Sequence, residues 1–64
     1  MDRTEVTCTD TGNTIGADIL DKSDRYLKVV VDGSELPLIL RKNDPHDRFY
    51  VGALADFEFT STGD

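Results

Sequence analysis

The sequence predicts an all-β fold, a small antiparallel barrel of five short strands, on three observations. Apolar residues alternate with polar ones at a period of two along most of the chain, where a helix would repeat every three to four. An Asp32-Gly33 pair separates two such stretches and has the composition of a tight hairpin turn. The chain has 64 residues, enough for one core, because a domain of this size hides only about 60% of the surface its unfolded chain exposes.

The first strand is predicted at Thr4-Glu5-Val6-Thr7-Cys8-Thr9, where Val6 and Cys8 share a face and the threonines supply β-branched propensity. Asp10-Thr11-Gly12-Asn13 is a turn cluster. Ile15, Ala17 and Ile19 then alternate along a second strand that leaves through Asp21-Lys22-Ser23-Asp24. The third and fourth strands, Leu27 to Val31 and Ser34 to Leu40, flank Asp32-Gly33. A two-residue type I′ loop there sets Val31 opposite Ser34, Val29 opposite Leu36 and Leu27 opposite Leu38 on one face. The other face pairs Lys28 with Pro37, Val30 with Glu35 and Tyr26 with Ile39.

Phe49-Tyr50-Val51 opens the next strand, Gly52-Ala53-Leu54-Ala55 breaks the alternation as a short helical or 3₁₀ turn, and Asp56 to Thr60 forms the last strand. The predicted interior consists of the aliphatic residues at 27, 29, 31, 36, 38 and 40 with Phe49, Val51, Phe57 and Phe59. The polar ends, Met1 to Arg3 and Ser61 to Asp64, are expected to fray. No repeat, low-complexity segment or linker divides residues 1–64, which read as a single small domain.

Composition narrows the function classes. One cysteine, Cys8, excludes an internal disulfide, and no Cys/His pattern has zinc-ligand spacing. On the inward face of its strand Cys8 reads as a small buried hydrophobe rather than a reactive thiol. There is no leader-like start and no apolar run approaching the roughly 20 residues that span a bilayer, so a cytoplasmic location without membrane contact is expected. Thirteen acidic against seven basic residues give a net charge of −6, which repels a phosphate backbone and favours solubility.

The densest run of ionisable residues is RKNDPHDRFY, residues 41–50. Asn43-Asp44-Pro45 has turn chemistry, and the charges suit an exposed connection. Asp44, His46 and Asp47 present a metal set, and His46 with Asp47 an acid–base pair. Three loop ligands are few for a metal, however, and no second histidine or Ser/Cys nucleophile lies nearby in sequence. No metal or other cofactor is expected. No catalytic residue is assigned and the protein is expected not to be an enzyme, since a barrel this small leaves little room for a small-molecule pocket.

Short strands with tight connections in so short a chain favour a closed or half-open barrel of SH3-like or Sm-like type. VTCTDTGNTIGADILDKSDRYLKVVV resembles the first motif of Sm-like proteins, with two alternating strands around a glycine-bearing turn and an aspartate before a third strand. YVGALADFEF is similar in layout to their second motif, and the two spans cover a little over half the chain. The resemblance implies a barrel fold and an RNA-binding role. Its RNA-binding residues are not matched: with Asp21 as the motif aspartate, Arg25 stands where the family has asparagine, and Val51 stands where it has arginine before Gly52. Gly12 to Gly16 is also one residue shorter than the family spacing. Pro37 would limit strand addition at the fourth strand, a protected-edge device.

Two functional expectations follow. The first is a noncatalytic binding or regulatory module that contacts another protein, or a second copy of itself, through Tyr26, Lys28, Val30, Ile39 and Arg41 on the outer face. This face is either exposed or covered by a barrel corner or the C-terminal segment. The second is a small-barrel nucleic-acid binder of Sm-like type using Lys22, Arg25, Lys28 and Tyr26. Salt separates the two, because phosphate contacts weaken steeply as salt rises.

Overall fold

The computed structural model describes residues 2–63, and Met1 and Asp64, two of the residues expected to fray, lie outside them. It is all-β: β1 (Arg3–Cys8), β2 (Thr14–Lys22), β3 (Tyr26–Val31), β4 (Pro37–Arg41), β5 (Tyr50–Leu54) and β6 (Phe57–Ser61). The strands pair antiparallel in chain order, and β6 returns to β1 to close the barrel. Closure removes the free sheet edges that would otherwise present unpaired backbone groups. None of the described residues is helical, and no helix is long and apolar enough to cross a membrane.

The barrel has six strands rather than the expected five, because Gly52-Ala53-Leu54 continues β5 instead of forming a helical turn. Inward positions of β5 hold Tyr50, Gly52 and Leu54, while outward ones hold Val51 and Ala53. Both faces are apolar or small, so the alternation is invisible in the sequence. The β5–β6 hairpin turns at Ala55 and Asp56, whose φ values of 52° and 70° are those a type I′ turn requires at both central residues.

Asp32-Gly33 turns differently. Only Gly33 has positive φ, at 84°, and the Ser34 amide donates to the Val31 carbonyl at 2.9 Å, the pattern of a type II turn. The Ser34 hydroxyl then accepts the Leu36 amide at 3.2 Å, so the connection runs through residue 36 and β4 starts at Pro37. Pairing therefore slips by two residues from the expected register: Val29 faces Leu38, Leu27 faces Leu40, Lys28 faces Ile39, Val30 faces Pro37 and Tyr26 faces Arg41. An even slip leaves every side chain on its expected face. Nothing lies within 4 Å of a Cβ built on Gly33, so Gly33→Val is strained only by its φ. It is expected to lower stability by about 1 kcal/mol or somewhat more, read from the urea midpoint. An unchanged midpoint would contradict the turn.

Val6, Ala17, Leu27, Val29, Leu38, Leu40 and Tyr50 form the core, with Ile19, Val31, Leu54 and Phe59 packed against it. Four residues expected inside are outside or at the barrel ends: Leu36, Phe49, Val51 and Phe57 are exposed. Leu36 sits in the lengthened β3–β4 connection. Phe49 and Val51 are displaced because β5 turns Tyr50 inward, where its hydroxyl donates to the Ser23 carbonyl at 2.7 Å. Phe57 lies beside the last hairpin, opposite Leu54 at the rim.

Two of the ends expected to fray are held. Arg3 begins β1, and its guanidinium reaches Asp18 at 2.6 Å and Asp32 at 2.7 Å. It crosses β2 above Gly16, where a Cβ would lie 2.7 Å from Arg3 Nη2 and 2.9 Å from Asp32 Oδ2. At the other end Ser61 is buried. Its hydroxyl donates to the Glu5 carbonyl at 2.7 Å, so in the 3.0 Å contact with Thr4 the Thr4 hydroxyl is the donor. These bonds satisfy a buried polar pair and tie β6 to β1.

Candidate protein-binding face

Antiparallel pairing of β3 with β4 places Tyr26, Lys28 and Val30 beside Ile39 and Arg41 on the outside of the barrel. All five expected contact residues thus share one face. Ile39 is 41% exposed and Arg41 is exposed, while Tyr26, Lys28 and Val30 are half-buried. The expected Tyr26–Ile39 pair is corrected by the register slip: Arg41 lies opposite Tyr26, Lys28 lies opposite Ile39, and Tyr26 and Ile39 are diagonal neighbours. The Arg41 guanidinium carbon stands 5.6 Å from the Tyr26 ring centroid, within range of a cation–π contact that orients both side chains.

Val51 enlarges the face. It pairs with Arg41 across the β4–β5 seam and is 43% exposed, contrary to its expected place in the core. Phe49-Tyr50-Val51 is a run of three large apolar residues, and only the destination of Tyr50 reveals which neighbours point outward. Pro37, opposite Val30, extends the apolar strip to the start of β4. The result is Ile39 and Val51 with Tyr26 and Val30 beside them, edged by Lys28 and Arg41. Asp21, the β2 residue opposite Lys28, bounds it on the far side.

Lys22, Arg25, Lys28 and Tyr26 do not converge in the same way. A bulge at Leu20 sets Asp21 opposite Lys28 and Lys22 opposite Leu27, so Lys22 and Lys28 occupy opposite parities of the sheet. Lys22 turns to the barrel mouth and donates from Nζ to the Gly63 carbonyl at 2.9 Å. Arg25 lies in the β2–β3 turn, where its carbonyl accepts the Lys42 amide at 2.9 Å.

The connection 42–49 is folded on itself. Asp44 accepts the His46 amide at 2.9 Å through Oδ1, and Asp47 accepts the Asp44 amide at 3.2 Å through Oδ2. These carboxylates serve the turn, and among the described residues no group of three or more His, Cys, Asp or Glu is placed to hold a metal ion. Cys8 is buried at 8% exposure; the Thr11 side chain draws its thiol pKa below the ordinary value by hydrogen bonding, against the opposing effect of desolvation. The Arg3 guanidinium is held more firmly protonated by Asp32 and then Asp18.

A closed, all-strand barrel with an exposed apolar and basic outer face is compatible in its architecture with the SH3-like and Sm-like barrels. Compared with protein-family models, curated proteins and solved structures, the chain gives no match.

Proposed function

We propose that this protein is a noncatalytic binding module whose β3–β4–β5 face docks on another protein. The observation that carries this reading is Ile39, a large aliphatic side chain 41% exposed in mid-strand, next to Tyr26 and between Lys28 and Arg41. An apolar centre with an aromatic and an arginine has the composition of an interface hot spot. The basic rim on a chain of net charge −6 suits a partner that offers an apolar patch bordered by carboxylates. Two copies of the chain repel each other overall, which favours a distinct partner over self-association. A nucleic-acid role of Sm-like type has less support, since Lys22 and Lys28 lie on opposite parities of the sheet.

Tyr26→Ser combined with Ile39→Ser is expected to leave the barrel folded, because both side chains point outward. Each truncation should cost about 2 kcal/mol of binding, roughly thirtyfold in Kd. The measurement is capture of partners from host lysate by wild type and variant at low and high salt, beside the far-ultraviolet spectrum of each. A folded variant that keeps its partner would place recognition elsewhere, and an unfolded one would make the pair structural. A partner that is RNA and is released steeply by salt would replace this reading with the nucleic-acid one.

A further inference from the structure

The run RKNDPHDRFY does more than connect β4 to β5. Its Lys42, Asp47, Arg48 and Tyr50 come together with Lys22 and Asp24 around an open cleft of about 530 Å³ at one mouth of the barrel. Three of the seven cationic side chains of an acidic protein are gathered there.

Two of those cations are held in place by contacts that leave their charge unneutralised. Lys22 Nζ donates to the Gly63 carbonyl at 2.9 Å, and Lys42 Nζ stands 4.2 Å from the centroid of the Tyr50 ring. Tyr50 is in turn fixed by its bond to the Ser23 carbonyl. Among the described residues the only ion pairs are those of Arg3 with Asp18 and Asp32, so neither Asp24 nor Asp47 is within ion-pair distance of Lys22, Lys42 or Arg48. Like charges positioned together without partners repel, and an anion entering between them relieves that repulsion with little ordering cost.

We infer that this mouth binds a compact anion, a single phosphate or carboxylate group carried by a small ligand, between Lys22, Lys42 and Arg48. Arg48 supplies the planar donor fork for two oxygens, and the lysines supply point charges. The size of the cleft falls in the range of small-ligand sites. Asp24 and Asp47 at its edge disfavour a long polyanion and suit a ligand that carries a donor beside its anionic group. The site lies apart from the Tyr26–Ile39 face and uses none of its residues.

The test is a nuclear magnetic resonance titration of the full chain with inorganic phosphate and, separately, with succinate, ionic strength being held constant with sodium chloride. Saturable shifts centred on the amides of Lys22, Lys42, Arg48 and Tyr50 support the proposal. Response to phosphate alone assigns a phosphate ligand, response to succinate alone assigns a carboxylate, and response to both assigns the shared oxyanion chemistry. Arg48→Gln and Lys42→Gln should each weaken binding about tenfold, while Lys28→Gln leaves it unchanged. Arg48→Gln keeps the test decisive if loss of the Lys42–Tyr50 contact disturbs the fold. The proposal is overturned by no saturable shift with either anion, by equal weakening in Lys28→Gln, or by shifts spread over all basic residues. Tighter binding of a short single-stranded RNA at these same amides, with a steep salt slope, would replace the compact anion with nucleic acid.

Discussion

Gly52→Ala is expected to destabilise the barrel by about 3 kcal/mol, the upper end of the usual cost of overpacking. A Cβ on Gly52 would run into the carbonyl oxygen of Ile39 and lie 2.9 Å from Leu40 Cδ2. The first obstacle is backbone, which cannot turn aside as a side chain can. Relief therefore requires β5 to move off β4 along the seam where only Arg41 and Val51 are in register, against five registered pairs in the β5–β6 hairpin. The urea midpoint measures the loss, and faster amide exchange concentrated in β4 and β5 would locate it. A midpoint within experimental error of wild type would show that the seam has slack and that Gly52 does not set the approach of the two strands.

Leu27→Ala should cost about 2–5 kcal/mol, from lost transfer free energy and the cavity left behind. Leu27 is wholly buried on β3, opposite Leu40 and Lys22. A core of this size seldom supplies more than about 3–5 kcal/mol, so the variant is expected to be largely unfolded at room temperature. Leu36→Ala is the internal comparison. The sequence pattern puts both leucines in one aliphatic set, yet Leu36 is 64% exposed, and its truncation should change stability by no more than about 0.5 kcal/mol. Thermal melts of the two variants separate the expected core from the observed one. Equal losses would return Leu36 to the interior and restore the shorter turn.

These pairs of residues show where sequence reading stops. Leu27, Val29, Leu38 and Leu40 were legible as core because strand alternation survives a slip of two residues, so an incorrect turn type left every face intact. The outward set Tyr26, Lys28, Val30, Ile39 and Arg41 was legible for the same reason. Phe49, Tyr50 and Val51 were not. Three consecutive apolar residues fit either parity, and local propensity has no preference between them. The choice depends on Ser23, whose carbonyl receives the Tyr50 hydroxyl, and on β4, whose backbone needs a glycine against it.

By itself, then, the sequence determined the class of fold, the inward and outward faces of β1 to β4, and the exposed character of residues 41–48, because each depends on period-two alternation or turn chemistry within a few neighbouring residues. Only the tertiary structure decided the sixth strand, the parity of β5, the capture of Arg3 and Ser61, and the gathering of Lys22 with Lys42 and Arg48. Each of those joins segments far apart in the chain. Contacts of that kind exist only once the barrel has closed, since closure is what brings the exit of β2 against the connection that leaves β4.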